Sequence, residues 1–519
     1  MAGEGEIQFA EAVIQRLQSF LTGKEAARTT ILSRSWHRAW LTRPNLDFDD
    51  NHFKTSHNQN DAFKKHAKKT IERYEQSNVQ IESFDLCMDI GGQYGRADLA
   101  YKLILKALRI GVTRLCLRLS KSSFDLPNEV FDADNLVELS VSGCAITLDD
   151  RVVIKCRRLK SLIFDDNVFI TINTVSKIVS SCPSIENLSI FSISYDWFGS
   201  ATAMAFGVVD NLIPRLRCLV LGYESFKTLF LGDLLSRFPF LKDFTLYLKY
   251  SRKNIDTVFE EGIQISNSSL ERIKLVLQGF QGDDEGRKPR VKFDVPSVRK
   301  FTFESDVIPC LSFMSTHPSR EWESHVSIQC NYYYGFSAFW FNELSELLTE
   351  LSQSKTHLSL KVGGNTSSFD YKVRDKIIQS LRKHELENLT IDMTGLPYLS
   401  CYPLLDGLFR LCRPKLITQH YKDDPDKRLY NHGYRNDSNM EKTNIDLLCQ
   451  ILEEGINFKV SRPTQFMYGL NDLKEVNAQA FDEDEWKPIP FESLLDADAP
   501  DEHVQVKQII RLLLKWKPS

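Results

Sequence analysis

The chain has 519 residues, of which 42% are hydrophobic and 26% are charged, and its formal net charge at pH 7 is −4. This balance is typical of folded proteins and excludes a wholly disordered chain, and the length allows about two to four domains or one repeat array with smaller parts attached. The acidic balance disfavours a free-standing nucleic-acid binder, and no run of about eighteen apolar residues predicts a membrane span.

The first six residues are small or acidic and lack the order of charged and apolar regions that a signal peptide needs. The chain has 11 cysteines, and none of them forms a Cys-x-x-Cys pair. Without a secretory signal, we interpret these cysteines as reduced thiols. We therefore expect a cytoplasmic or nuclear protein that holds no metal and no cofactor.

Residues 1–50 predict a small module of three helices. Glu6 to Leu21 has apolar residues three and four apart, which indicates an amphipathic helix. A second short helix follows over 24–32, and Ser33 can cap a third helix that carries Trp36. Because a unit of this size cannot bury all of its apolar surface alone, it either caps the region that follows or docks on a partner helix. The residues alone leave both interpretations open.

One hexamer, with apolar residues at positions one, four and six, recurs along the chain. Ten good copies are Ile81–Leu86, Val112–Leu117, Leu136–Val141, Leu159–Phe164, Ile185–Ile190, Leu216–Leu221, Leu241–Leu246, Leu270–Leu275, Val298–Phe303 and Leu386–Ile391. Two weaker copies around Val326–Ile328 and Leu358–Leu360 lack the first apolar residue. The copies start 23 to 32 residues apart, which is the signature of a leucine-rich repeat with an irregular period.

Side chains alternate between the two faces of a strand, so positions four and six of each hexamer face the core and positions three and five face outward. Helical patterns separate several copies: Ala97–Leu108, Thr174–Ser181, Gly232–Phe238, Asn342–Leu351 and Tyr371–Lys383. The predicted fold class is α/β, with the helical module over 1–50, a helical linker over 51–80 and a strand–helix solenoid over 81–418. Twelve strands span roughly 50 Å, a surface of the size that binds another macromolecule.

Residues 419–519 are predicted to cap the open end of the repeats. Asp472 to Glu502 contains eleven acidic and two basic residues, and Val504 to Leu514 adds an apolar strand or helix. Most charge runs are simply solvated, but this one has the sign to fold back over a basic surface.

Several stretches resemble one known family. Glu11 to Gln15 and Ser19 to Trp40 resemble a plant F-box, and Pro44 to Asp50 resembles the stretch that follows that motif in the plant F-box/leucine-rich-repeat proteins. The ends Leu473–Trp486 and Ile509–Trp516 look like those of some members. Because the repeats also fit, the resemblance covers most of the chain.

The resemblance implies a substrate-recognition subunit of a Skp–cullin–F-box (SCF) ubiquitin ligase. The F-box docks on a Skp-family adaptor, and through it on cullin and RING subunits, while the repeats hold a protein substrate for ubiquitination and degradation. Such a subunit is not an enzyme. In agreement, the sequence contains no P-loop, no Gly-x-Ser-x-Gly elbow and no His-Glu-x-x-His motif. No nucleic-acid or membrane partner is expected.

Two positions depart from the family pattern. Phe9 and Ala10 stand where the family has a Leu-Pro pair that contacts the adaptor, and Ala10 lacks the preset first-turn geometry of Pro. Ser35 stands where a basic residue often precedes the first Trp. The alternative is therefore a leucine-rich-repeat binding or scaffold protein whose degenerate F-box does not engage the adaptor. A small-molecule co-receptor, as some plant relatives are, is a third reading.

Two sets of residues are candidates for binding. The predicted adaptor contacts are Phe9, Val13, Ile14, Leu17, Leu21, Ala27, Ile31, Leu32 and Trp36, each of which could instead pack within the module. The predicted substrate contacts are outward positions of the later repeats, namely Arg272, Lys274, Lys300, His325 and His357. If they neighbour one another, they form a basic stripe for an acidic or phosphorylated segment. The alternative is a solvated face without a ligand.

Overall fold

The computed structural model describes residues 10–53, 59–77, 79, 81–91, 95–120, 124–149, 151–165, 167–191, 215–223, 235–236, 238–249, 262–279, 288–315, 321–331, 338–363, 382–392, 398–420, 448–453, 470–482, 485–494 and 509–517. The chain divides into two units, one of residues 1–224 and 233–244 and the other of residues 225–232 and 245–519. Among the described helices, none is both long and apolar enough to cross a membrane.

The α-helices with defined bounds are α1 (Glu11–Gln18), α2 (Gly23–Arg28), α3 (Arg34–Leu41), α4 (Gln59–Ser77), α5 (Arg96–Ile110), α6 (Glu129–Asp132), α7 (Ile172–Ser181), α8 (Ala338–Glu350) and α9 (Tyr398–Leu411). Residues 448–453 are also helical. Short 3-10 helices lie at Thr29–Ile31, Asp50–Phe53 and Phe491–Leu494.

The strands of the first unit are β1 (Asn45–Asp49), β2 (Ser83–Asp89), β3 (Arg114–Ser120), β4 (Glu138–Ser142), β5 (Ala145–Ile146), β6 (Ser161–Phe164), β7 (Phe169–Ile170), β8 (Asn187–Ile190) and β9 (Cys218–Tyr223). They form a parallel sheet in the order β1–β2–β3–β4–β6–β8–β9. β5 and β7 pair separately, also in parallel.

The remaining strands are β10 (Asp243–Lys249), which crosses the unit boundary, and then β11 (Ile263–Ser266), β12 (Arg272–Gln278), β13 (Arg290–Asp294), β14 (Lys300–Ser305), β15 (Cys310–Ser315), β16 (Trp322–Asn331), β17 (Ser354–Gly363), β18 (His384–Asp392), β19 (Cys412–His420), β20 (Leu473–Asp482), β21 (Glu485–Ile489) and β22 (Ile509–Trp516). The second unit has a parallel sheet β12–β14–β16–β17–β18–β19. Its far edge is extended by β22, β20 and β21, each antiparallel to its neighbour.

Positions three to six of each of the twelve predicted hexamers lie in a strand. In the first unit the fourth positions of five copies stand side by side and are buried, namely Leu115, Leu139, Leu162, Leu188 and Leu219. Full burial of one such side chain contributes about 1.5–3 kcal/mol relative to leaving it exposed. The repeats therefore stabilise one another laterally, as the hexamer spacing predicts.

The strand–helix alternation is only partly correct. α5, α7 and α8 occupy three of the predicted helices, whereas the predicted helices at 232–238 and 371–383 lie mostly or wholly outside the described residues. Over 262–315 the segments between the repeat strands are themselves strands, since β11, β13 and β15 form a second parallel sheet. The reason is a period of two, because Val291 and Phe293 alternate with polar residues and are fully buried.

The interior of the helical module is built on caps and one buried amide. Thr22 forms a capping box with Glu25 at the start of α2, and Ser33 accepts the N–H of Trp36 at the start of α3. Gln18 of α1 is fully buried, and its Nε2 donates to Thr29 Oγ1 at 2.9 Å and to the Trp36 carbonyl at 3.2 Å. The Gln18 side chain thus links α1 to the 3-10 helix at Thr29–Ile31 and to α3.

The module continues directly into the sheet. The range 1–50 was predicted as one helical module, but β1 pairs with β2 in parallel and so its residues belong to the sheet. Asp47 of β1 accepts the backbone N–H of Gly23 at 2.7 Å and forms an ion pair with Arg43, which is 3% exposed. Tyr74 of α4 donates its hydroxyl to the Arg43 carbonyl at 3.0 Å. These contacts hold the module against the first strand.

Candidate functional site

The helical module exposes apolar side chains that a folded chain normally buries. On α1 these are Val13 and Leu17, and just after it comes Phe20, which is 72% exposed. Ile31 at the end of the short 3-10 helix is 87% exposed, and Leu32 after it is 61% exposed. We call these five residues the module surface set. Isolated exposed apolar residues are ordinary, but five within twenty residues of a small module mark an interaction surface.

The predicted adaptor contacts divide by exposure. Val13, Leu17, Ile31 and Leu32 are exposed, and Leu21, Ala27 and Trp36 are partly exposed. Ile14 is 1% exposed, because it points inward from α1 on the same side as Gln18, so its inclusion as a contact residue is corrected. Phe9 lies outside the described residues. Phe20 lies within the helix predicted over 6–21 and is not among the predicted contacts, yet its side chain is 72% exposed beside them.

Cationic side chains border one end of this surface. An open hollow of about 740 Å³ is lined by Thr30, Ile31, Ser33, Arg34, His37 and Arg38. Here Ile31 stands beside two guanidinium groups, and the Arg16 guanidinium lies 4.9 Å from the centre of the Phe20 ring. A partner with apolar side chains and a carboxylate rim matches this chemistry.

The strand register of the second unit places the residues of the predicted basic stripe differently from the alignment of the hexamers. Arg272 lies opposite Lys300 as expected, but Lys300 lies opposite Glu323 and not opposite His325. His325 lies opposite Thr302 on one side and His357 on the other. The pairing of β14 with β16 is thus two residues away from the alignment of the hexamers. Lys274, His325 and His357 therefore share one row across the strands, with Thr302 between the lysine and the histidines, while Arg272 and Lys300 form a second row that ends opposite Glu323.

Carboxylates on neighbouring strands also offset much of the positive charge. Lys274 lies 2.8 Å from Glu304 and 5.8 Å from the centre of the Tyr247 ring. Burial opposes the charged form of Lys274, but the hydrogen bond and the attraction of Glu304 raise its pKa above the ordinary value. Because the acids come from adjacent strands, the hexamer pattern gives no sign of them.

The two histidines form a stacked pair. The rings of His325 and His357 are 4.5 Å apart and tilted by 12°, and His325 Nε2 lies 3.6 Å from Glu323. Burial, followed by the neighbouring ring, lowers the pKa of His357. Because its pKa is lowered, the His357 ring carries little charge at neutral pH and adds little to an anion site.

The first unit presents its own polar cluster on the outward face of β2 and β3. Asp85 forms an ion pair with Arg118 at 2.9 Å, and Arg118 Nη1 donates to Cys116 Sγ at 3.6 Å. Burial raises the pKa of Cys87 and Cys116 above the ordinary value, and nearby aspartates raise it further. Both thiols therefore stay protonated at neutral pH and are poor nucleophiles.

The antiparallel edge of the second unit holds a feature that the sequence did not suggest. The Arg511 guanidinium carbon lies 4.0 Å from the centre of the Trp486 ring, and its Nε donates to Gln479 Oε1 at 2.7 Å. Phe481 lies directly opposite Trp486 in the β20–β21 pair, and the centres of the two rings are 5.1 Å apart. Within the described ranges no group of three or more His, Cys, Asp or Glu is placed to hold a metal.

Comparison with known proteins gives a consistent set of relatives. A putative F-box/LRR-repeat protein of Arabidopsis thaliana is 26% identical over 267 residues, which is 48% of this chain and 47% of the relative. An F-box/FBD/LRR-repeat protein of the same plant is 24% identical over 340 residues, covering 61% of this chain and 69% of the relative. Another F-box/LRR-repeat protein is 28% identical over 263 residues, 49% of this chain and 65% of the relative.

The chain spans 47% of the first of these relatives and also 47% of an FBD-associated F-box protein of the same plant, about half the length of each. No family model matches the chain. The names of the relatives nevertheless agree with the repeated parallel strands of the structure. The resemblance of this chain to the plant F-box/leucine-rich-repeat proteins is therefore confirmed.

Proposed function

We propose that the chain is the substrate-recognition subunit of a Skp–cullin–F-box ubiquitin ligase of the cytoplasm or nucleus. In this proposal α1 to α3 form the F-box and dock on a Skp-family adaptor. The repeats over 81–418, capped by 419–519, present outward strand positions to a protein substrate. The relatives' names, which combine F-box and leucine-rich repeat, support both halves of this assignment.

The module surface set carries the proposal. Leu17 and Ile31 are well exposed although they lie on a module that keeps Ile14, Ala26 and Ala39 at 1% exposure or less. Full burial of each exposed aliphatic or aromatic side chain in a partner contributes about 1.5–3 kcal/mol. A partner helix is the simplest means of covering them, and the cationic rim near Ile31 favours a partner with acidic residues.

The proposed role requires no bond chemistry from this chain. Its contribution is proximity: a substrate held on the repeats meets the ubiquitin-charged enzyme at an effective concentration far above its concentration in solution. The protonated thiols at Cys87 and Cys116 are compatible with this non-catalytic role.

The test is a binding measurement between the full-length chain and a purified plant Skp-family adaptor. We expect Leu17→Ala with Ile31→Ala to weaken binding by about 30-fold or more, since an anchor residue contributes at least about 2 kcal/mol. The matched control is Val153→Ala with Phe169→Ala, which truncates two exposed apolar residues elsewhere in the first unit. This control should bind as the unaltered chain does.

The alternative function, a scaffold with a degenerate F-box, rests on the Phe9-Ala10 departure. The full-length chain with Phe9→Leu and Ala10→Pro separates the two. If the unaltered chain does not bind the adaptor and the repaired chain does, the scaffold function stands and the ligase function is refuted. If both bind within a few-fold of each other, the departure is harmless.

A further inference from the structure

We propose that Arg511 anchors a binding site for a carboxylate-bearing segment of a partner protein, which lies across the strands on the outward face of the second unit. The proposal rests on the proposed function, because it specifies the chemistry of the substrate segment that the repeats hold. It moves the expected anion site away from the predicted basic stripe, in which Lys274 is paired with Glu304 and Lys300 lies opposite Glu323.

The Arg511 side chain is held in place while its charge is left unmatched. Trp486 stacks on the guanidinium, and Gln479 accepts its Nε–H. Both partners are neutral, and no carboxylate lies within ion-pair distance of Arg511 in the part of the chain that the structure describes. Since guanidinium stays charged at all relevant pH values, its remaining N–H groups form a preset fork for a carboxylate.

A lane of hydroxyl groups leads up to this cation. Ser327, Ser359, Thr390 and Thr418 lie side by side on β16, β17, β18 and β19, and Arg511 on β22 lies directly opposite Thr418. We call these five residues the hydroxyl lane. Four steps between strands give roughly 19 Å, which suits an extended segment of about six residues.

The hydroxyl lane offers hydrogen bonds without a charge preference. The Thr418 hydroxyl donates to Asn388 Oδ1 at 3.0 Å. The side-chain hydroxyls of Ser327 and Ser359 have no hydrogen-bond partner among the described residues. A hydroxyl both donates and accepts, so the lane can bond the backbone of an extended segment of any sequence. Leu416 and Leu513, partly exposed and opposite each other, border the lane next to Arg511 and can take an apolar neighbour of the acidic residue.

The charges along the lane set the kind of anion and its position. Glu304 lies opposite Ser327 at the far end and is paired with Lys274, so an acidic group is disfavoured there and favoured at Arg511. A single guanidinium matches one carboxylate, whereas phosphoryl groups are usually held by clusters of arginine. The segment is therefore an Asp- or Glu-containing one and not a phosphorylated one.

The test starts with selection from a display library of random dodecamer peptides on the full-length chain, followed by affinity measurements on the selected peptides. We expect the selected peptides to contain Asp or Glu. Arg511→Gln should weaken them by about tenfold or more, and changing the peptide's acid to its amide should add little further loss. The matched control is Lys515→Gln on the same strand, which removes a cation already paired with Glu475 and should leave affinity unchanged.

A second variant protects the test from misfolding of Arg511→Gln. Ser359→Asp leaves the Arg511–Trp486 contact intact, places a negative charge in the lane and should weaken the same peptides about tenfold. The proposal is refuted if no selected peptide responds to either variant, or if replacing the peptide's acid by phosphoserine gives an Arg511-dependent gain of more than tenfold. Adaptor binding by the same preparations separates the two proposals, since peptide failure with intact adaptor binding refutes only this one.

Discussion

The ion pair between Arg43 and Asp47 should control how firmly the helical module is held on the sheet. Arg43 is 4% exposed at its side chain and Asp47 32%. Asp47→Ala removes the ion pair and the acceptor of the Gly23 N–H, and it leaves a buried guanidinium with one bond to the Leu21 carbonyl at 3.3 Å. Breaking a fully buried pair costs about 3–5 kcal/mol, and because Asp47 is partly solvated we expect about 3 kcal/mol.

Hydrogen exchange measured by mass spectrometry on the intact protein reads this loss locally. The opening free energy of peptides from 11–41 should fall by about 3 kcal/mol, while peptides from α5 should keep their protection. Asp49→Ala on the same strand is the control, since it removes only local contacts: the bonds from the Asn51 backbone N–H at 2.9 Å and side-chain amide at 2.8 Å, and the approach of His52 at 4.0 Å. If Asp47→Ala loosens the module no more than Asp49→Ala does, the ion pair is not what holds it and the reasoning fails.

Three further predictions concern single positions. Gly143→Ala should lower the thermal midpoint of the first unit far more than Gly95→Ala: both have positive φ, but a Cβ at 143 would lie 1.5 Å from the Leu119 carbonyl oxygen, whereas nothing lies within 4 Å at 95. Gly407→Ala in α9 should destabilise by about 1–3 kcal/mol in urea unfolding, because its Cβ would meet the buried Phe341 ring at 2.4 Å; helix propensity alone gives the opposite sign. Burial lowers the pKa of His384 to about 4, so the unfolded chain takes up the proton first. The stabilising contribution of the neutral His384 is complete above about pH 6.5 and is lost as the pH falls to 4, by up to about 3 kcal/mol. The free energy of urea unfolding of His384→Phe, measured at pH 7 and 5, should therefore depend less on pH than that of the unaltered chain.

The strands of the repeats were predictable because burial repeats at every copy. Positions four and six of each hexamer must both be apolar, and that demand leaves a mark in the sequence wherever a strand stacks on its neighbours. β19 was not predicted, because Pro414 interrupts its apolar pattern and a proline argues against a strand. β1 was not predicted, because it follows the F-box-like stretch so closely that its residues were assigned to the same helical module.

The surface chemistry was harder to predict for a physical reason. A slip of one residue between strands exchanges the buried and exposed faces, but a slip of two leaves both faces unchanged. The hydrophobic pattern therefore could not reveal that His325 lies opposite Thr302. The contacts of Arg511 with Trp486 and Gln479 likewise join residues 25 or more positions apart on antiparallel strands. No local sequence pattern therefore indicates them.

The short path from the helical module to the sheet has a consequence for the proposed ligase role. α3 ends at Leu41 and β1 begins at Asn45, so no flexible tether separates the module from the first strand. A flexible linker would let a bound substrate take many orientations, so that each of its lysines could meet the ubiquitin-charged enzyme. A stiff connection restricts the bound substrate to a narrow range of positions. Which lysine of a bound protein is modified would then be a matter of geometry: a site a few ångströms out of reach is passed over however tightly the protein is held.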